Sequence, residues 1–268
     1  MPIDSIEDRH FLILGGSSGM GYATAAYLLG ARGIVTIGGR NAENLAAAHE
    51  RLLDQTRVAP DRLRSIRVDA TRSDAVEAAV AHAASPAGKI DGVFVVAGIG
   101  GFANVWETTP EFMVEQIVGN VGPLVNAIRS AFPRMKEDGG SILAMSSAAA
   151  LCSYPKLAAY GSSKAALDHY VRVAADELGE YKIRVNAVRS GFTKSGASAE
   201  LLEDAAYVRS FGRITPLGPY GQSEDFGPMA GLLLSADSSW ITGQIVTIDG
   251  GLTLRGYGGG VFPEGLFQ

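Results

Sequence analysis

The chain has 268 residues, of which 47% are hydrophobic and 19% are charged, and its formal net charge is -5. This length and apolar content can build one large domain, whereas the negative balance argues against a nucleic-acid-binding protein. No apolar run reaches the ~18 residues of a membrane-spanning helix, so we expect no membrane partner. A single cysteine, Cys152, rules out an intrachain disulfide, and the N-terminus lacks a secretory pattern, so we expect a cytoplasmic protein. The four histidines show no ligand spacing, and we predict no metal site.

Short apolar segments alternate in chain order with longer segments of helical periodicity. The apolar segments predict seven buried strands at 11–14, 34–37, 63–68, 93–96, 142–145, 183–188 and 245–248. The periodic segments predict helices near 19–30, 41–56, 73–84, 110–137, 155–179 and 223–235. Continuous apolar runs are typical of parallel strands covered on both faces. The pattern therefore predicts the α/β class, a doubly wound (Rossmann) seven-stranded parallel sheet with helices on both faces, in a single domain over 1–268.

Two stretches depart from this alternation. Residues 191–222 mix glycine, serine, proline and aromatic residues with a short helical piece, and a connection this long predicts a lid. The C-terminal tail, 252–268, is rich in glycine and carries aromatic residues. We interpret this tail either as a frayed end or as an apolar arm that packs on the site or on a neighbouring subunit.

A glycine-rich loop lies between the first predicted strand and the first predicted helix. It reads Gly15-Gly16-Ser17-Ser18-Gly19-Met20-Gly21. Glycines allow the backbone to approach a pyrophosphate closely, and the helix N-terminus offers free N–H donors. In this position the loop predicts a nucleotide-binding site.

The second predicted strand ends in Gly38-Gly39-Arg40. An acidic residue there usually binds the ribose hydroxyls of NAD, whereas a basic residue accommodates the 2′-phosphate of NADP. Arg40 therefore predicts NADP(H) as the cofactor, with NAD(H) as the alternative.

A phenol and an ammonium group lie four residues apart in Tyr160-Gly161-Ser162-Ser163-Lys164. On a helix both would lie on one face, one turn apart. A lysine cation about 4 Å away would stabilise the phenolate by roughly 4 kcal/mol at an effective dielectric constant of ~20, which corresponds to about three pKa units. The spacing thus predicts a tyrosine whose pKa is lowered toward neutrality and which exchanges a proton with an alcohol or carbonyl oxygen.

Taken together these motifs resemble a classical short-chain dehydrogenase/reductase, from about residue 9 to residue 251. The glycine loop matches the TGxxxGxG motif, with Leu14 in place of threonine, and Tyr160 and Lys164 match YxxxK. Ser147 precedes Tyr160 by the usual thirteen residues, and 119–122 supply Asn120. The segments 68–71, 186–191 and 241–251 resemble the adenine-contact, NAVxPG and closing-strand motifs.

The resemblance implies a role for each matching residue. Tyr160 would exchange the proton, Lys164 would lower its pKa and bond the nicotinamide ribose, and Ser147 would bond the substrate oxygen. Asn120 would position a water that links Lys164 to solvent. The implied cofactor-binding residues are Gly15, Ser17, Ser18, Gly19, Met20, Gly21, Arg40, Asp69, Ala97, Gly98, Tyr160, Lys164, Gly191, Thr193 and Ser195.

Two departures from the family pattern fall close to this site. The family's NNAG reads Val95-Val96-Ala97-Gly98, and its PG reads Ser190-Gly191. The hydrogen bonds of the two missing asparagines must therefore come from elsewhere.

The substrate pocket is expected to be apolar. Its predicted lining residues are Phe102, Val105, Trp106, Tyr154, Phe192, Leu201, Leu202, Tyr207 and Phe211. We predict a hydrophobic secondary alcohol or ketone, alicyclic or steroid-like, as the small-molecule substrate. The alternatives are a β-ketoacyl-carrier-protein reductase and a non-catalytic NADP(H)-binding sensor or scaffold. By analogy with the family we expect a homotetramer built on the helices at 110–137 and 155–179.

Overall fold

The computed structural model describes residues 4–255, without the side chains of residues 4, 197 and 207. Its centre is a seven-stranded sheet in the order β3-β2-β1-β4-β5-β6-β7, and every neighbouring pair is parallel. The strands are β1 (His10–Leu14), β2 (Ile34–Gly39), β3 (Leu63–Arg67), β4 (Gly92–Val95), β5 (Gly140–Ser147), β6 (Ile183–Ser190) and β7 (Ile245–Ile248). The predicted class, strand number and strand direction are confirmed.

Helices follow the strands in strict alternation as far as β6. They are α1 (Gly19–Gly30), α2 (Ala42–Thr56), α3 (Ser73–Ala83), α4 (Pro110–Met135), α5 (Ala158–Leu178), α6 (Ala199–Glu203), α7 (Ala205–Ile214), α8 (Gly227–Leu234) and α9 (Leu252–Arg255). Asn41 caps α2 by accepting a hydrogen bond from the Asn44 N–H, and Thr109 caps α4 in the same way through Phe112. In 4–255 we find no helix with the length and apolar character needed to cross a membrane.

Each face of the sheet carries its own core, because side chains alternate along a strand. On β5, Ile142 and Ala144 pack with α3, α4 and α5, whereas Leu143 and Met145 pack with α1, α2 and α8. Both faces of the sheet are therefore shielded from solvent, which explains why the strand sequences are continuous apolar runs.

The strand order reverses direction at β1, which lies between β2 and β4. The loops that follow β1 and β4 therefore diverge to opposite faces and leave a crevice at the carboxyl ends of the strands. The glycine loop follows β1, and the segment 96–101 follows β4, so both border this crevice.

The predicted lid contains more helix than its sequence indicated, since α6 and α7 both lie within 191–222. Its two ends are tied together at the base: Gly221 N–H donates to the Phe192 carbonyl at 3.0 Å, and Lys194 N–H donates to the Gly221 carbonyl at 2.9 Å. The start of the predicted tail forms α9, whose Leu252 is buried. Residues 256–268, the remainder of that tail, lie outside the described residues.

Candidate active site

The glycine loop forms a cradle that side chains would fill. Gly15 has φ +96°, and a Cβ there would lie 2.9 Å from the Ala97 nitrogen. A Cβ on Gly21 would lie 2.2 Å from the Gly15 carbonyl oxygen. The first turn of α1 has no acidic residue, and Ser18, its N-cap, makes no side-chain capping hydrogen bond. The helix N-terminus is thus left to bind an anion, as a pyrophosphate requires.

A cavity of about 330 Å³ extends from this cradle along the ends of β2 and β3. Asp69 lies on its wall, and its Oδ1 accepts hydrogen bonds from the Thr71 N–H at 3.0 Å and the Thr71 hydroxyl at 2.7 Å. These bonds lower the pKa of Asp69 and keep it ionised. Arg40 is exposed on the same wall, and its carbonyl accepts from Arg67 Nε at 3.1 Å. The predicted cofactor residues that line this cavity are Gly15, Ser17, Ser18, Gly19, Met20, Arg40, Asp69, Ala97, Gly98 and Ser195.

A second cavity, of about 380 Å³, holds all four predicted catalytic residues, Asn120, Ser147, Tyr160 and Lys164. Three further predicted residues, Gly191, Thr193 and Ser195, line it as well. The two cavities share part of their walls, namely Met20, Val96, Gly98, Ile99 and Ser195. They form one cleft with the anion cradle at one end and the Tyr160 phenol at the other.

Tyr160 and Lys164 lie one turn apart on α5, as predicted. The pKa prediction, however, is wrong for the chain by itself, because burial raises the pKa of Tyr160 and only a hydrogen bond with Ser147 opposes this. Lys164 Nζ lies 5.8 Å from the centroid of the phenol ring and donates a hydrogen bond to the Met145 carbonyl at 2.9 Å. The expectation from the Tyr160–Lys164 spacing left out the burial of the phenol, which raises its pKa.

Lys164 is buried, with only 4% of its surface exposed. Burial lowers its pKa to about 8, and the nearby carboxylate of Asp168 opposes that shift. The ammonium group therefore loses its proton close to neutral pH, which makes its charge sensitive to any neighbouring ion.

Asn120 makes three hydrogen bonds in the wall of the catalytic cavity. Its Oδ1 accepts from the Ile99 N–H at 3.1 Å, and its Nδ2 donates to the Gln116 carbonyl at 3.0 Å and to Ser163 Oγ at 3.1 Å. A Cβ on Gly98 would lie 2.7 Å from Asn120 Oδ1 and 3.5 Å from Lys164 Nζ. Asn120 thus holds the loop after β4 against Lys164.

The far end of the catalytic cavity is apolar. Phe192 and Phe211 stack with their centroids 4.5 Å apart, and they pack with Tyr154 and Leu252 beneath the lid. Of the predicted pocket residues, those that line the cavity are Phe102, Tyr154, Phe192, Leu201 and Phe211. Val105 and Trp106 are instead 69% and 82% exposed and do not line it. Leu202 borders a neighbouring depression, and the side chain of Tyr207 lies outside the described part of the chain.

Sequence reasoning missed two features of this site. Ile99 and Leu157 line the cavity from loops whose apolar residues show no periodicity. A buried ion pair joins Asp168 to Arg189 next to Lys164, with 2.5 Å between Oδ2 and Nη2. The position of Asp168 four residues after Lys164 was the only available signal for this pair.

The fold and the cleft define a class of protein. A doubly wound sheet with an anion cradle at its switch point, joined to a tyrosine, a serine and a buried lysine, is the arrangement of a nucleotide-dependent oxidoreductase. The cradle fits the pyrophosphate of a nicotinamide cofactor, since it offers uncapped N–H groups and no side chain that would block it.

Comparisons with known proteins agree with this class. A family model described as enoyl-(acyl carrier protein) reductase matches residues 15–253. Versicolorin reductase of Emericella nidulans is 30% identical over 256 residues, which cover 92% of this chain and 96% of that protein. The 3-oxoacyl-[acyl-carrier-protein] reductase of Thermotoga maritima is 30% identical, with 93% and 99% covered. The trans-4-hydroxycyclohexanecarboxylate dehydrogenase of Sinomonas cyclohexanicum is 32% identical, with 93% and 95% covered.

A solved structure gives the same result. A short-chain type dehydrogenase/reductase from Mycobacterium ulcerans superposes with a TM-score of 0.88 at 34% identity, covering 93% of this chain and 91% of its own. The chain belongs to the classical short-chain dehydrogenase/reductase family, and it is an oxidoreductase of the kind that binds a nicotinamide cofactor.

Proposed function

We propose that this protein is an NADP(H)-dependent oxidoreductase that interconverts a secondary alcohol and a ketone on a hydrophobic, alicyclic molecule. One observation carries the proposal. Tyr160, Ser147 and Lys164 line a cavity that opens at one end onto the anion cradle and ends at the other in an aromatic cluster.

The cleft offers residues for each part of the cofactor. The glycine loop would hold the pyrophosphate, and Asp69 would contact the adenine. Thr193 and Ser195 would contact the nicotinamide half of the cofactor. Arg40 supports NADP(H), because it is exposed at the end of β2 where no acidic residue competes for the ribose. A bound nicotinamide supplies or accepts the hydride at the substrate carbon.

The side chains of the catalytic cavity would handle the proton. Because the pKa of Tyr160 is raised, its phenol carries a proton at neutral pH and can donate it to a ketone oxygen. Ser147, already hydrogen-bonded to the phenol, would stabilise charge that develops on the same oxygen. The Lys164 ammonium would stabilise the phenolate left after proton transfer, and Asn120 would keep Lys164 and the relay water in place.

The apolar end of the cavity supports an apolar substrate. Phe192, Phe211 and Tyr154 form its wall, and among the described residues that line it Lys164 alone is cationic. A cavity of about 380 Å³ suits a one- or two-ring ketone. A relative named for trans-4-hydroxycyclohexanecarboxylate lends further support to a cyclic substrate.

Steady-state oxidation of NADPH with a panel of ketones tests the proposal. We expect turnover of apolar cyclic ketones, with a lower KM for NADPH than for NADH. Exclusive turnover of small charged keto acids would contradict the substrate class, and a preference for NADH would contradict the cofactor assignment.

A second candidate is a β-ketoacyl-carrier-protein reductase, which the relative from Thermotoga maritima favours. Comparing an acyl chain on its carrier protein with the same chain on a small thiol separates the two activities. Loss of activity when the carrier protein is removed would favour this second candidate. If no ketone or thioester reacts while NADPH binds, the protein is a sensor or scaffold.

We further propose a homotetramer in the cytoplasm. Val114 and Val118 on α4 and Val173 on α5 are 59%, 53% and 41% exposed, which suits packing against other copies. Light scattering after size-exclusion chromatography should give four times 28.0 kDa. A monomer at micromolar concentration would refute this assembly.

A further inference from the structure

A row of polar side chains, two of them buried, crosses the sheet near Lys164. Ser146 on β5 pairs in register with Arg189 on β6, which pairs with Thr247 on β7. On each strand, the residue two positions earlier points to the same face of the sheet. Of these earlier residues, Ala144 and Ala187 pack against α5. The carboxyl end of this face is therefore polar where the remainder is apolar.

Asp168 reaches this row from α5. Its Oδ2 lies 2.5 Å from Arg189 Nη2, and the two residues are only 4% and 9% exposed. Arg189 Nη1 also donates to Thr247 Oγ1 at 3.3 Å. Asp168 is one helical turn beyond Lys164, on the same face of α5. Three charged groups thus follow one another from the catalytic cavity toward β7 at the edge of the sheet.

This ion pair is poorly suited to a purely structural role. Asp168 Oδ1, Arg189 Nε and Ser146 Oγ are buried and have no hydrogen-bond partner among the described residues. Buried ion pairs with unsatisfied atoms cost free energy, and an apolar pair of similar size is often at least as stable. This free-energy cost indicates that the charges of Asp168 and Arg189 have a role other than stabilising the fold.

We propose that Asp168 and Arg189 are positioning residues that set the charge state and the location of the Lys164 ammonium. The catalytic consequence rests on the function proposed above. Asp168 attracts the ammonium, and Arg189 balances Asp168 so that Lys164 Nζ bonds the Met145 carbonyl instead of the carboxylate.

The groups that face Lys164 allow the sign of each effect to be derived. Among the described residues, the ionisable groups are Tyr160 and Asp168 on α5, with Arg189 of β6 paired to Asp168, whereas α4 contributes Asn120 and β5 the Met145 carbonyl. Removing the carboxylate leaves two cations close together, so the ammonium should lose its proton at lower pH. Removing the guanidinium frees the carboxylate to act on Lys164, so the proton should be held to higher pH.

Direct titration of Lys164 tests this without substrate or cofactor. The chain has six lysines, so ¹³C-lysine labelling gives few signals, at Lys89, Lys136, Lys156, Lys164, Lys182 and Lys194. Lys164→Met identifies the signal of interest. The ¹³Cε shift should titrate with a midpoint of about 8 in the wild type. We expect the midpoint to fall by about one pH unit in Asp168→Asn and to rise by a similar amount in Arg189→Gln.

Controls separate this role from a general loss of packing. Arg184→Gln removes another arginine from β6, one that among the described residues donates to the Ser235 and Ile241 carbonyls, and it should leave the midpoint unchanged. Asp168→Glu keeps the charge and should restore the wild-type midpoint. If the single variants do not fold, Asp168→Asn/Arg189→Gln leaves no unpaired charge and should still lower the midpoint, because the carboxylate acts on Lys164 most strongly.

Single-variant midpoints that move in the same direction, or that do not move, would overturn the proposal, as would an unchanged midpoint in the double variant. The pH profile of kcat for ketone reduction should follow the midpoint in each variant. A profile that stays at the wild-type position while the midpoint moves would overturn the catalytic role. An enzyme that reduces no ketone would refute the proposed function but would leave the lysine titration valid.

Discussion

Gly21→Ala should damage the cofactor cradle, whereas Gly30→Ala at the other end of the same helix should not. The added Cβ at position 21 would lie 2.2 Å from the Gly15 carbonyl oxygen and 3.2 Å from Gly16 Cα, both of them backbone atoms. To reach even 3.0 Å, the loop must move away from α1. At position 30, no heavy atom lies within 4 Å of the added Cβ.

The expected magnitudes follow from these distances. Overpacking against rigid backbone costs about 1–3 kcal/mol, so Gly21→Ala should lower the free energy of unfolding by about 2 kcal/mol. Because the displaced atoms belong to the cradle, the dissociation constant for NADPH should rise by roughly 30-fold or more. Gly30→Ala should change the free energy of unfolding by less than about 0.5 kcal/mol, since alanine favours the helix.

Urea denaturation and isothermal titration calorimetry with NADPH measure the two effects. The reasoning would be refuted by a Gly21→Ala protein that binds NADPH as the wild type does. Equal losses of affinity in both variants would also refute it, because the cause would then lie in the helix and not in the cradle.

Three further predictions concern other parts of the cleft. Arg40→Ala should raise the KM for NADPH by about 10- to 100-fold and leave the KM for NADH nearly unchanged. The control Arg51→Ala, on α2, should change neither KM. Equal effects of Arg40→Ala on both cofactors would exclude a 2′-phosphate contact. Phe211→Ala removes the stacking partner of Phe192. The KM for an apolar ketone should therefore rise, and amide hydrogen exchange across 199–214 should become faster. Unchanged exchange would show that other contacts hold the lid. Lys164→Met should abolish turnover yet stabilise the fold at pH 7 by up to about 3 kcal/mol. The folded pKa of about 8 lies below the unfolded value of 10.5, so the wild type gains stability as pH rises between them and Lys164→Met should not; parallel stability curves would contradict this.

Much of the fold could be predicted because the pattern of apolar residues along the chain distinguishes its strands from its helices. Strands buried on both faces, such as Ile142–Met145, must be apolar throughout, and the helices between them show a 3.6-residue period. Predicted and observed strands consequently overlap in all seven cases, with ends that differ by a few residues. The helices of the lid were harder to predict, because α6 and α7 are short and α7 packs through Phe211 against Phe192 and Leu252, which lie outside the helix.

The site was predictable in its parts but not in its electrostatics. The glycine loop and the Tyr160–Lys164 spacing are local patterns, and the structure brings their residues to one cleft. The pKa of Tyr160 depends on how deeply the phenol is buried and on where Lys164 Nζ points, and neither follows from the spacing. The partnership of Asp168 with Arg189 likewise depends on the register between β5, β6 and α5.

The central claim is that hydride passes between NADP(H) and a carbinol carbon while Tyr160 supplies the proton. The most direct measurement is deuterium transfer from [4-²H]NADPH to an apolar cyclic ketone, followed by NMR of the product, in the wild type and in Tyr160→Phe. Tyr170→Phe, on the same helix, serves as the control. We predict deuterium on the carbinol carbon with the wild type and with Tyr170→Phe, and a loss of at least about 10³-fold in rate with Tyr160→Phe although NADPH still binds. Transfer by Tyr160→Phe at the wild-type rate would contradict the claim.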